Sequence, residues 1–115
     1  MDQGAGMAAR VKRGEVRSYR FAPPDKERPV VILTRPSMIE VLHHVTVAPV
    51  STTVRGVRSE VILDVADGMK QRCAINLHLV QSVPLRGVGR HLATLAPERL
   101  EEVCAALAYA LGCDR

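Results

Sequence analysis

The sequence predicts an α+β fold that is mainly β, a small and strongly bent antiparallel sheet or barrel with one C-terminal α-helix. Short β-branched runs recur along the chain and are separated by turn residues, and the last segment changes to a helical spacing of apolar residues. The length of 115 residues suits a single domain, which we place at residues 13–115. Residues 1–12 are polar and glycine-containing and are expected to form a disordered leader, in which Met7 is a candidate start.

The strand signals are apolar runs bounded by proline, glycine or hydroxyl residues. We expect strands at Gly14–Phe21, at Arg28–Thr34, from Val45 onwards, at Arg58–Leu63, at Arg72–Val83 as one bent or two short strands, and at Gly87–Leu95. The Arg28–Thr34 run is apolar on both faces, which predicts a central position. Two glycines in the last run favour a bend or bulge in an edge strand. Met38–Leu42 is expected to form one short helical turn.

The C-terminal segment is predicted to be a helix that begins near Pro97 and closes at Gly112. Its apolar residues form one stripe for packing against the sheet or a second subunit: Leu100, Val103, Cys104, Leu107 and Leu111. Cys104 is therefore expected in the core.

The composition favours an anionic partner and disfavours a membrane. The formal net charge is +4 and the isoelectric point is near 9.3, which favours nucleic acid. No apolar run approaches the roughly 18 residues of a transmembrane helix. The chain has three cysteines and no C-x-x-C pair, which favours reduced thiols in a cytoplasm. No metal or cofactor is expected, because adjacent His43 and His44 point to opposite faces of a strand and no cofactor-binding motif occurs.

The strand that begins at Val45 ends in polar residues suited to an anionic oxygen. Ser51, Thr52 and Thr53 follow one another, and Arg55 lies close by. Hydroxyls and a guanidinium both donate hydrogen bonds, and the arginine charge is permanent. The same residues are also typical of a solvated hairpin turn, so the segment alone leaves both interpretations open.

Several segments, taken in order, resemble the MazF/PemK family of toxins, and in particular its short actinobacterial branch. The segments are Arg13–Val16, Arg28–Thr34, Val47–Gly56 with Ser59–Val61, Asn76-Leu77 through Val83-Pro84, and Leu95–Leu100 before the helix. Each is short and moderately specific, but the ordered set covers roughly Arg13 to Cys113.

The resemblance implies an SH3-like antiparallel barrel that forms a homodimer and acts as a metal-independent, sequence-specific endoribonuclease on single-stranded RNA. It also implies a cognate MazE-type antitoxin, whose acidic C-terminal segment would fold across a basic groove. The family's catalytic arginine matches Arg28, and its catalytic threonine or serine matches Ser51. In that chemistry the RNA 2′-hydroxyl is the nucleophile, and the protein orients it and balances charge on the phosphorane.

Further site residues are predicted in addition to Arg28 and Ser51. Contacts to RNA are expected from Lys26, Thr52, Thr53, Arg55 and Asn76. The first loop, Ala22–Glu27, is short, so the acidic base of longer relatives is absent unless Glu27 replaces it. His78 stands where many relatives carry aspartate, and it is either an acid–base catalyst or a histidine satisfied within the sheet.

Two other functions are compatible with the same fold. One is a gyrase poison of the CcdB type, but the gyrase-contacting end of those proteins contains tryptophan and this chain has none. The other is a non-catalytic SH3-like module that binds RNA or a peptide.

Overall fold

The computed structural model describes residues 11–23 and 26–114. Its elements in chain order are β1 (Glu15–Arg20), β2 (Glu27–Ile32), α1 (Pro36–Leu42), β3 (His44–Ser51), β4 (Glu60–Leu63), β5 (Cys73–Asn76), β6 (Gln81–Pro84), β7 (Val88–Thr94) and α2 (Pro97–Leu111). Single 3₁₀ turns lie at Val65–Asp67, Leu77–Leu79 and Leu85–Gly87. The predicted mainly-β fold with a C-terminal helix is confirmed.

The strands form one bent antiparallel sheet. Paired strands follow the order β4-β5-β3-β2-β1-β7, and β6 pairs with β3 off this path. β3 bends the sheet, because His44–Val47 pair with β6 whereas Val50 and Ser51 pair with β5. β2 lies between β1 and β3, as its two apolar faces predicted.

Alternate residues of the central strands face two different hydrophobic clusters, because successive side chains of a strand point to opposite faces. Val31 of β2 joins the cluster that includes Val103 of α2. Its neighbour Val30 joins the cluster that includes Ile39 of α1. The centre of the sheet is therefore covered on both faces, and strand register decides which face each site residue occupies.

The irregular strands match their sequence signals. Arg72–Val83 contains two short strands, β5 and β6, separated by the Leu77–Leu79 turn. β7 pairs with β1 through two register shifts, which is the irregularity that its glycines predicted. Gly87 is required there, because a Cβ at this position would collide with the ring of Tyr19.

Helix α2 packs on the sheet through part of the predicted stripe. Val103 is buried, and Leu100 and Leu107 pack against the same cluster. Cys104 is exposed and Leu111 is 60% exposed, so the core position expected for Cys104 is wrong. Ala106, which the predicted stripe left out, is buried instead. Neither helix of the described residues is long and apolar enough to cross a membrane.

Most of the expected leader, residues 1–10, lies outside the described residues. Val11 is described, and its side chain is only 1% exposed within the α1 cluster. The packed part of the chain therefore begins no later than Val11.

Candidate active site

Arg28 and Ser51 come together through the register of β2 and β3. The paired residues include Val30 with Pro49 and Val31 with Ala48. Extending that register by two residues within both strands places Arg28 opposite Ser51 on the same face. Directly opposed residues of an antiparallel pair have Cβ atoms roughly 4.5–5.5 Å apart. The recorded pairing ends at Val30 and Pro49, so it is the continuation of this register that puts the two residues predicted to be catalytic at the same end of the sheet.

The local sequence fixes the backbone at both positions. Arg28 precedes Pro29, and a residue before proline is restricted to extended conformations. Ser51 is the last residue of β3, and its Oγ accepts a hydrogen bond of 3.0 Å from the backbone N–H of Thr53. Because the oxygen is the acceptor in that bond, the hydroxyl keeps its own proton for donation to an anionic oxygen. Arg28 is exposed and Ser51 is half-buried.

The loop after β3 is held by Glu60, a residue that sequence reasoning noted only within a matching segment. The Glu60 carboxylate accepts hydrogen bonds from the backbone N–H groups of Gly56, at 2.8 Å, and of Arg55, at 3.1 Å. Burial raises the pKa of Glu60, but these N–H donors and the Arg55 charge outweigh it, so the net pKa is lowered. The ionised carboxylate therefore fixes the loop that carries Thr52, Thr53 and Arg55.

The other predicted RNA contacts divide into exposed and buried residues. Lys26, Thr52, Thr53 and Arg55 are exposed around the end of the sheet that carries Ser51. Asn76 is only 3% exposed on β5, and within the described residues its Oδ1 has no hydrogen-bond partner. Its burial does not fit the expected direct contact with RNA, because the side chain is covered by the sheet region it belongs to.

His78 lies away from the Arg28–Ser51 pair. It is exposed on the Leu77–Leu79 turn, and its Nδ1 is 2.6 Å from Oγ of Ser59. Ser51 pairs with Ala74 on β5, and His78 follows Ala74 by four residues. A strand advances roughly 3.3 Å per residue, so the separation along the strand direction is on the order of 10 Å. His78 is neither beside Ser51 nor within the sheet.

Glu27 does not share a face with Arg28 either. Adjacent residues of β2 point to opposite sides, and the Glu27 carboxylate lies near Gly89 of β7. The structure therefore leaves the Arg28 face without Glu27 as a neighbouring base.

A pocket of about 330 Å³ opens beside Ser51, on the face of β2 that carries Pro29 and not Arg28. Pro29, Val50, Ser51 and Thr52 line its strand side. The opposite wall includes Lys70, Gln71 and Arg90, which sequence reasoning missed. No motif marks these residues. Lys70 and Gln71 simply follow the Asp67-Gly68 turn, and Arg90 is brought near by the pairing of β7 with β1.

Comparisons with known proteins agree with this geometry. The family model described as PemK-like, MazF-like toxin of type II toxin-antitoxin system matches residues 12–111. The probable endoribonuclease MazF5 of Mycobacterium tuberculosis is 40% identical over 110 residues, which is 95% of this chain and all of that relative.

Solved structures show the same fold. The Mycobacterium tuberculosis toxin MazF-mt6 superposes with a TM-score of 0.80 at 33% identity, covering 88% of this chain and 99% of that one. A mycobacterial endoribonuclease in complex with its cognate antitoxin has a TM-score of 0.81 at 20% identity, covering 91% of this chain and 98% of that one. At this lower identity the likeness shows the fold alone. The match over nearly the whole chain shows that this protein belongs to the PemK-like, MazF-like family of type II toxins.

Proposed function

We propose that this chain is the toxin of a type II toxin–antitoxin system and acts as an endoribonuclease on single-stranded RNA. The observation that supports the proposal is that the pairing of β2 with β3 brings Arg28 and Ser51 to the same end of the sheet, where Ser51 also lines an open pocket. Curated relatives at 31–40% identity are named endoribonucleases or probable endoribonucleases, and they span most of this chain.

The geometry suits cleavage by the RNA's own nucleophile. The 2′-hydroxyl loses its proton to solvent as its oxygen attacks the adjacent phosphorus. The bond from phosphorus to the 5′-oxygen breaks and that oxygen takes a proton from water, so the products are a cyclic 2′,3′-phosphate and a 5′-hydroxyl. Arg28 stabilises the charge that develops on the phosphorane, and the Ser51 hydroxyl donates to one of its oxygens. Arginine is a poor proton donor, so we assign Arg28 an electrostatic role.

This chemistry is metal-independent in our proposal, because the permanent charge of Arg28 replaces the positive charge that a metal ion would supply. We also propose that the cleavage is sequence-specific, because Ser51 lines a pocket that can distinguish neighbouring nucleotides. We place the protein in the cytoplasm, where its RNA substrate is found.

Two protein partners complete the proposal. The first is a second copy of this chain, because Met38, Val41 and Leu42 of α1 expose apolar surface that suits a two-fold interface. The face of α2 considered from the sequence is already packed against its own sheet. The second partner is a MazE-type antitoxin, whose acidic C-terminal segment folds across the surface carrying Lys26, Arg28 and Arg55.

The test is to incubate the purified protein with a long RNA in EDTA. Cleavage at defined sites that leaves 5′-hydroxyl ends, and that disappears in Arg28→Ala, supports the proposal. RNA that stays intact while gyrase is inhibited would identify a gyrase poison. Tight RNA binding without cleavage would identify a binding module, and loss of cleavage only when EDTA is added would contradict the metal-independent route.

A further inference from the structure

Residues 52–58 join β3 to β4 and form neither helix nor strand. Every one of them except half-buried Val54 is exposed. The loop carries Thr52, Thr53 and Arg55, which are three of the residues predicted to contact RNA. An exposed loop that has to be ordered when a ligand binds costs affinity, so a contact that orders it beforehand strengthens binding.

Glu60, the first residue of β4, holds the middle of this loop. Its carboxylate accepts hydrogen bonds from the backbone N–H of Gly56 at 2.8 Å, and from that of Arg55 at 3.1 and 3.2 Å to its two oxygens. Its own N–H donates to the carbonyl of Val57 at 3.0 Å. Glu60 is only 9% exposed and pairs with Asn76 in the ladder of β4 and β5, so these bonds attach the loop to the sheet. Hydrogen bonds to a charged acceptor are stronger than those between neutral groups.

The side chains of the two arginines of the loop are held differently. Glu60 binds the backbone of Arg55 and not its guanidinium. Within residues 11–23 and 26–114, no carboxylate forms an ion pair with the exposed Arg55 side chain. The Arg58 guanidinium, in contrast, lies 4.1 Å from the centre of the Tyr109 ring and 3.9 Å from the Asp114 carboxylate. The loop therefore attaches one arginine to the C-terminal part of the chain and leaves the other available for a ligand.

We propose that Glu60 is a positioning residue for RNA binding, and that it holds the backbone of Arg55 so that the Arg55 guanidinium meets an RNA phosphate. The planar fork of arginine can donate two parallel hydrogen bonds to a phosphate, and this geometry requires a fixed starting point for the side chain. Glu60 itself does not touch the substrate, because both of its oxygens are bound to backbone N–H groups. The inference rests on the proposed ribonuclease function and adds the residue that orders its RNA-contacting loop.

The first experiment measures kcat and KM on a defined RNA containing one cleavage site. Glu60→Gln should raise KM on the order of threefold to tenfold, because the loop loses its charged acceptor and must be ordered when RNA binds. Its kcat should stay nearly unchanged, as is typical when only substrate binding is weakened. Glu102→Gln is the matched control, since it removes the same charge from the same groove between β4 and α2 but binds Arg99 and not the loop. It should keep the KM of the wild type.

A double-mutant cycle tests whether Glu60 acts through Arg55. Arg55→Ala should raise KM on the order of tenfold and weaken its dependence on salt, because one phosphate contact is lost. Adding Glu60→Gln to Arg55→Ala should then change KM little, since residues that act through one contact are not additive. If Glu60→Gln raises KM by the same factor with and without Arg55, Glu60 does not act through that arginine and the inference is overturned.

A pair of glycines tests the loop without removing the buried carboxylate. Gly56 has φ of 78°, and no atom lies within 4 Å of a Cβ at this position, so Gly56→Ala strains the loop backbone without a collision. Gly112, at the end of α2, has φ of 75° and equally open surroundings, which makes Gly112→Ala the matched control. Gly56→Ala should raise KM as Glu60→Gln does, and Gly112→Ala should not.

The outcomes separate the inference from the proposed function. A wild type that cuts RNA, together with Glu60→Gln and Gly56→Ala proteins that keep its KM, would overturn the role of Glu60 and leave the ribonuclease function intact. A wild type that cuts no RNA would instead defeat the proposed function, and the role of Glu60 with it.

Discussion

Two serines, one at the end of β3 and one in the turn before β4, are each associated with a nitrogen-bearing side chain, and they differ in what they can do. Ser51 lies at the same end of the sheet as Arg28, where β3 ends beside a pocket. Ser59 contacts His78 at 2.6 Å on the other side of β5, and it is only 8% exposed. The first pair has charge, an available hydroxyl proton and room for a substrate. In the second pair the hydroxyl is buried and already bound, so residue type alone does not define a catalytic pair.

The largest effect is expected from Arg28. Arg28→Ala should lower the cleavage rate by about 10³ or more, because removal of one preorganised donor costs roughly 10²–10³ and this donor is charged. Arg28→Lys should recover little of the rate, since a point charge cannot reproduce the bidentate fork. The rate is measured on a defined RNA containing one cleavage site.

The control for Arg28 is another exposed arginine outside the site. Arg35 begins α1 and does not line the pocket, so Arg35→Ala should cleave at nearly the wild-type rate. Both variants should keep the wild-type melting temperature, because exposed substitutions usually change stability by less than about 0.5 kcal/mol. An Arg28→Ala protein that cleaves as fast as Arg35→Ala would show that the site assignment is wrong.

Ser51 should contribute less than Arg28. Ser51→Ala removes a neutral donor, so we expect a loss near the lower end of about 10²–10³ in rate. Ser51→Thr should keep most of the activity, because it retains the hydroxyl at the same strand position. Single-turnover rates on the same RNA distinguish the wild type, Ser51→Ala and Ser51→Thr. Equal loss of activity in the two variants would show that Ser51 acts through packing and not by donating a hydrogen bond.

The strands at the Arg28–Ser51 end of the sheet could be predicted from sequence because their signals are local, whereas the roles of Arg28 and Ser51 were expected only from the resemblance to the family. Pro29 and the β-branched run after it predict β2, and the hydroxyl residues mark the end of β3. Antiparallel pairing of these two strands then brings the start of β2 near the end of β3. The positions of Asn76 and His78, at the other end of the sheet, could not be predicted in this way. Where Asn76 and His78 point depends on how the chain turns at Leu77–Leu79, and no residue there signals a 3₁₀ turn.

The residues that sequence reasoning missed or misplaced depend on contacts between segments that are distant in sequence. Lys70 and Arg90 are twenty residues apart, and they line one pocket because β7 pairs with β1 and Arg99 of α2 holds the turn at Asp67. Cys104 was misplaced because helical spacing gives the period of a face but not its rotation against the sheet, which Ala106 decides here. Sequence patterns within one helix or strand predicted the type of that element. Contacts between elements that are distant in sequence determine which residues form the pocket wall.

A smaller effect is expected from a change in the turn that supports the pocket wall. It concerns the free energy of unfolding and how that free energy depends on pH. Hydrogen bonds from Arg99 lower the pKa of Asp67, against a smaller opposing effect of burial. A lowered folded-state pKa stabilises the fold above the unfolded pKa, and the contribution disappears as pH falls through the folded value. Asp67→Asn should therefore reduce the free energy of unfolding by about 1 kcal/mol at pH 7, after allowance for the partly exposed Arg99.

Urea denaturation at several pH values measures this difference. The curves of the wild type and Asp67→Asn should converge below about pH 4, where aspartate is protonated in the unfolded chain. Asp114→Asn is the matched control, since its pair with Arg58 is 3.9 Å long and well exposed, and such pairs contribute little. A difference between wild type and Asp67→Asn that persists unchanged into acid would show that the carboxylate charge is not the cause.

The smallest effect is expected from His78, although a histidine is the usual choice for proton transfer near neutral pH. His78→Ala and Ser59→Ala should both change the cleavage rate by much less than the roughly 10²–10⁴ that general acid–base catalysis contributes. The reason is position: His78 lies beyond Asn76 on a turn, beside Ser59 and not beside Ser51. The rates of both variants are compared with the wild type from pH 5 to 8, across which an ordinary histidine changes charge. A loss of about 10² in His78→Ala that grows or shrinks across this range would assign proton transfer to His78, and the two ends of the sheet would then act on one RNA together.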